Sequence, residues 1–128
     1  MATVAAVAIV ASVPTVAAAG VDTPTAEISS SDCPALDNLS AHGRFVAYGD
    51  SFWVYDDCAD GHSAQLQVDI EPFGASGHFD WKFTTSNGDG SYKKVQFDLH
   101  EGTAVTVRVC ISEGSVAVAC GRWETGMA

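Results

Sequence analysis

From Gly43 onward the chain alternates apolar and polar residues in short runs bounded by turn-forming residues. In "HSAQLQVDI" (62–70), Leu66, Val68 and Ile70 share one face and Gln65, Gln67 and Asp69 the other. "HFDWKFTT" (78–85) repeats the scheme with Phe79, Trp81 and Phe83 as expected core, and "YKKVQFDL" (92–99) does so with Val95, Phe97 and Leu99. "TAVTVRVCI" (103–111) aligns Val105, Val107, Val109 and Ile111 opposite Thr106 and Arg108. "RFVAYG" (44–49), "SFWVY" (51–55) and "SVAVACGRW" (115–123) complete the set with aromatic and β-branched residues. Period-two alternation predicts antiparallel strands with one face on a core and the other in water.

The punctuation between these runs agrees. "SNGDGS" (86–91) and "SEGS" (112–115) are rich in residues that tolerate positive φ, "EPFGASG" (71–77) is a longer loop, and "LHEGT" (99–103) is a tight connection. No helical period of useful length interrupts them. About seven strands in this length predict an all-β, antiparallel β-sandwich, immunoglobulin-like or Greek key, with a small closed barrel as the alternative. The immunoglobulin hallmarks themselves are missing: Arg108 stands two residues before Cys110, where the tyrosine corner belongs, and Trp81 comes too late.

Ahead of this domain (43–128), residues 20–42 open with the polar stretch "GVDTPTAEISSSD" and read as a flexible lead-in. Residues 1–19 are uncharged and end in "AAA" after Pro14, the pattern of a secretory signal peptide cleaved after Ala19. The run lacks a basic start, as expected of a signal truncated at its beginning. A retained membrane anchor is the competing reading. Eight of these 19 residues are alanine, which is weakly lipophilic, and the small-residue end favours cleavage.

Composition narrows the partners. The 6 basic and 16 acidic residues all follow Val21, so the mature chain carries the whole net charge of −10. That field repels phosphate backbones and anionic lipid, which argues against nucleic acid and against membrane association after signal cleavage. It also keeps a secreted chain soluble and favours a monomer. Four cysteines (Cys33, Cys58, Cys110, Cys120) in an exported domain imply two disulfides, and three pairings are open. Loop length favours Cys33 with Cys58 and Cys110 with Cys120, each worth about 3 kcal/mol in the chain-entropy view.

The densest chemistry is "VYDDCADGH" (54–62). As a calcium loop it fails, because Cys58 would take the third ligand position and Gln67 the twelfth. A looser calcium site at Asp56, Asp57 and Asp60 is the residual metal reading. Zinc would need a second His or a free thiolate beside His62, and Cys58 is expected in a disulfide. The structural reading has its own mechanism. At the tip of a hairpin between 51–55 and 62–70, Asp56 and Asp60 accept hydrogen bonds from amides two residues on, Gly61 supplies a left-handed residue, and His62 begins the next strand. No metal and no cofactor are expected on this reading.

Scattered carboxylates (Asp80, Asp98, Glu101) and the absence of a GxSxG elbow give catalysis no anchor, so no catalytic residue is assigned and no enzyme is expected. Trp53, in a run apolar on both faces, and Trp123, near the C-terminus, are the candidate ligand contacts, since exposed indoles on a β-sandwich can stack on sugars. "NLS" (38–40) fits a glycosylation sequon.

Three stretches carry a resemblance. "YGDSFWVYDDCADGHSA" (48–64), "VQFDLHEGTAVTVRVCISEG" (95–114) and "VACGRW" (118–123) resemble small secreted proteins of actinobacteria, of the streptomycete type. The match falls on Asp56, Ala59, Asp60, Gly61, His62, Cys110 and Cys120. Cys58 stands where the resemblance leads one to expect a basic or polar residue. The resemblance implies secretion and β architecture for a family of uncharacterised function, and it assigns no activity. The resulting expectation is a secreted, non-catalytic interaction or surface-associated module that meets an extracellular protein or polysaccharide. A carbohydrate-binding module is the first alternative. A small protease inhibitor presenting the turn near Glu113 is the second.

Overall fold

A computed structural model describes residues 20–33, 38–85 and 88–128, so the expected signal peptide lies outside the described residues. These residues form nine strands and no helix: β1 Ala26–Ser29, β2 Leu39–Val46, β3 Ser51–Asp56, β4 Ser63–Ile70, β5 Trp81–Thr84, β6 Tyr92–Gln96, β7 Ala104–Glu113, β8 Val116–Cys120 and β9 Glu124–Met127. One sheet runs β1-β2-β3-β6 and the other β5-β4-β7-β8, with β9 also on β7. Every pairing is antiparallel.

The connections make a Greek-key sandwich. The chain leaves the first sheet after β3, forms β4 and β5 in the second, returns as β6 beside β3, and crosses again as β7 beside β4. This exchange of strands between sheets is the immunoglobulin-like pattern. Both disulfides pair as loop length favoured, Cys33 with Cys58 and Cys110 with Cys120.

Three differences from the sequence reading have physical causes. The segment 20–42 is not a plain flexible lead-in. Ala26 and Ile28 alternate with polar residues and bury against the core as β1, while Leu39 to His42 open β2. Four residues are too short a period to stand out beside so many small side chains. The last run, 115–123, holds β8 alone, and a ninth strand, β9, follows it on β7 with the register shifted by one residue between Cys120 and Glu124. Gly121 fits that junction, since a Cβ there would lie 2.2 Å from the Glu27 carbonyl oxygen. Finally, "VYDDCADGH" does not tip a hairpin. β3 and β4 belong to different sheets, so the stretch is the crossing between them.

The core lies between the sheets. Phe45, Phe52 and Val54 of the first meet Leu66, Val68, Val105, Val107 and Val109 of the second, all at or below 1% exposure. Phe52 is its aromatic hub, with ring centroids of Phe45, Phe97 and Phe83 at 5.0, 5.6 and 6.1 Å. Trp81, expected as core, is 39% exposed and stacks on Phe97 at 4.9 Å. It sits on edge strand β5, where the apolar layer opens to solvent.

Candidate functional site

The acidic crossing is built from local hydrogen bonds. The Cys58 amide donates to Asp56 Oδ1 (3.2 Å), and the His62 amide donates to Asp60 Oδ1 (2.9 Å). These are two Asx-turns, and Gly61 inside the second has φ +79°. Asp57 points elsewhere, to His42 Nδ1 at 2.5 Å. His62 lies 3.7 Å from Asp60 Oδ1 and 3.4 Å from Glu113 Oε1. The three aspartates therefore face three different partners and do not converge on one point. Asp60 does lie beside Cys33 and Cys58, but both sulfurs are in the disulfide and offer no thiolate. Asp56 is almost fully buried, and its Oδ2 takes no hydrogen bond. Burial pushes its carboxyl above the usual 3.8 against the Cys58 amide, and the neighbouring Asp60, Asp89 and Asp57 add to the rise.

The outward face of the first sheet has a different character. Alternation turns Phe52 and Val54 inward and leaves Trp53 and Tyr55 outward. Register then sets His42, Tyr55 and Tyr92 in one cross-strand row and Arg44, Trp53 and Lys94 in the next. His42 and Tyr55 stack at 4.6 Å with planes 4° apart, and Tyr92 lies 5.6 Å from Tyr55. Lys94 Nζ sits 4.7 Å from the Trp53 ring centroid. Glu27 of β1 neighbours His42 at the rim. Among the described residues neither Arg44 nor Lys94 has an ion-pair partner. Two of the chain's six cations thus flank one indole on a strongly acidic protein. They border a shallow depression of about 480 Å³ lined by His42, Arg44, Trp53, Tyr55 and Lys94.

Trp123 does not join this surface. It lies on the opposite outer face, where the Arg108 guanidinium is 4.7 Å from its ring centroid. There the outward residues of β4, expected in solvent, are buried instead: Gln65, Gln67 and Asp69 are 0%, 3% and 6% exposed. Gln65 Nε2 donates to Thr84 Oγ1 and the Ser115 carbonyl, Gln67 Nε2 to Gln65 Oε1, and Arg108 Nε to Gln67 Oε1. Asp69 ends this row, with His78 against it. The cover comes from Arg108, Trp123 and the loop before β5, which are distant in sequence.

The turn near Glu113 is a closed two-residue hairpin at Gly114 and Ser115. The Ser115 carbonyl accepts from Gln65 and Lys82, which ties the turn to β4 and β5. Among the described residues, the histidine rings that are ion-paired meet carboxylates and none meets a serine hydroxyl. Sequence reasoning singled out Trp53 but not His42, Arg44, Tyr55, Tyr92 or Lys94. Their assembly follows from pairing register, and the alternation of "SFWVY" and "YKKVQ" is the signal that could have found it. Compared with protein-family models, curated proteins and solved structures, the chain matches none.

Proposed function

We propose that this protein is a secreted, monomeric, non-catalytic β-sandwich of the small actinobacterial type, acting as an extracellular interaction module. Its contact surface is the outward face of β2, β3 and β6. One observation carries this reading: an aromatic row beside two cations that ion-pair with no other described residue, on a chain whose net charge is −10. Rings give large contact area at low entropic cost, and desolvated Trp, Tyr and Arg residues dominate binding energy at interfaces. Arg44 and Lys94 select for an anionic partner, because elsewhere the field of the protein repels one.

Carbohydrate binding is the second reading, and the ring geometry refines it. The Trp53 face is occupied by Lys94 and that of Tyr55 by His42, whereas Tyr92 is 62% exposed. A sugar would therefore stack on Tyr92 with a carboxylate near Lys94, which points to a uronic-acid polymer over a neutral glucan. Affinity electrophoresis through gels containing polygalacturonate or neutral xylan tests both readings. Retardation by polygalacturonate that weakens between 50 and 200 mM salt, and at least tenfold on Lys94→Glu or Tyr92→Ala, supports the acidic-glycan form. Charge-dependent retention on an acidic protein bait instead supports the broader module. If Arg44→Glu and Lys94→Glu change no interaction of the folded protein, the surface is misassigned.

A further inference from the structure

The buried polar row on the second sheet ends in a carboxylate that is poorly compensated. The Asp69 side chain is 8% exposed, and among the described residues its one hydrogen-bond contact is His78 Nδ1 at 3.3 Å. A buried charge requires close pairing, and normal charge-assisted bonds are about 2.7–2.9 Å. Of the cations on this face, Arg108 directs its Nε to Gln67 and its guanidinium to Trp123, and Lys82 donates to the Ser115 carbonyl. The third group is Asp80, and one donor atom from each of Asp69, His78 and Asp80 lies within 4.8 Å of the others.

We propose that Asp69, His78 and Asp80 form a binding site for a divalent transition-metal ion, with zinc as the matching chemistry. Bonds of about 2.0–2.1 Å at a tetrahedral angle set neighbouring ligand atoms about 3.3–3.5 Å apart. The Asp69–His78 separation of 3.3 Å meets that spacing. One imidazole with two carboxylates suits zinc better than calcium, which takes six or more oxygens. The ligands are also held in place. Asp80 Oδ2 accepts from the Ile70 amide at 2.8 Å, and the Asp80 amide donates to the Val68 carbonyl at 2.7 Å. Such outer bonds orient ligating carboxylates. The His78 ring lies against the bare Cα of Gly74, where a Cβ would come 2.2 Å from its Cγ. A cavity of about 220 Å³ bounded by Thr106 and Trp123 adjoins Asp69 and His78 and has room for the water that completes four-coordination.

Isothermal titration of the oxidised, chelator-treated protein with zinc chloride tests the site, with thermal melting and the His78 ring resonances as parallel readouts. The expected result is one zinc per chain, a raised melting temperature, and shifted His78 signals. His78→Gln and Asp69→Asn should each weaken binding at least tenfold while remaining folded without zinc, and His100→Gln should bind as the parent does. His78 is half exposed, so its variant guards against a failure of Asp69→Asn to fold. Absence of zinc binding at millimolar concentration would overturn the proposal and reduce the triad to an ion-paired clasp on the loop. Binding that survives His78→Gln, or calcium binding as tight as zinc, would overturn it equally.

Discussion

Replacing Asp56 separates two roles that its carboxylate plays. Asp56→Ala removes the acceptor of the buried Cys58 amide, and an orphaned buried donor costs about 1–3 kcal/mol. In a domain near this size, each kcal/mol shifts the melting temperature by about 4 °C, so a fall of about 4–12 °C is expected at neutral pH. Asp56→Asn keeps the acceptor and removes the charge, and should melt well above the alanine variant. Acidity then isolates the charge. Because the folded-state carboxyl titrates above 3.8, the native state holds more protons than the unfolded chain between that value and its raised pKa. Stability contributed by Asp56 therefore falls as pH rises through this window and stays low at neutral pH. The parent should gain on Asp56→Asn as the solution is acidified from neutrality, followed by melting curves at matched ionic strength. A parent-minus-asparagine difference that is flat, or that moves the other way, would refute the burial argument. An alanine variant melting within about 1 °C of the parent would refute the turn argument.

Other outcomes follow from packing and cross-links. Phe52→Ala empties the hub among Phe45, Phe83 and Phe97 and should cost about 3–5 kcal/mol in urea unfolding. Gly43→Ala should cost about 1–3 kcal/mol, since its Cβ would lie 2.5 Å from the Trp53 carbonyl oxygen and 3.1 Å from Leu66 Cδ1. A denaturation midpoint equal to the parent's would show that the sheets can separate there at no cost. Removing both Cys33 and Cys58, 25 residues apart, should destabilise by about 3.5 kcal/mol, against about 2.7 for Cys110 and Cys120, 10 apart. The reverse order in guanidinium melts would show that loop closure does not set these contributions.

How much of this was legible depends on whether the cause is local. The strands whose apolar residues alternate against the core, such as Val105 to Ile111, declared themselves because period two is a property of the strand alone. The Asx-turns at Asp56 and Asp60 were equally local. Burial of Gln65, Gln67 and Asp69 was not, because Trp123 and Arg108 lie 39 or more residues further along the chain, and only the fold brings them over β4. The aromatic face lay between these limits: Trp53 was singled out as a candidate contact, but its neighbours Arg44, Tyr55, Lys94 and Tyr92 required the register of three strands. His78 and Asp80 stood in plain view, yet nothing in "GHFDW" announces that Asp69 is beside them.

The glutamines of β4 have one more effect. Sliding that strand by a single residue would drive Gln65 and Gln67 into the layer now filled by Leu66 and Val68, stranding each carboxamide at about 1–3 kcal/mol. The same slip would tear Arg108, Thr84 and the Ser115 carbonyl from their partners. Both sides of the central strand thus spell out its alignment, and a nascent chain that zips up one notch wrong has every reason to unzip and try again.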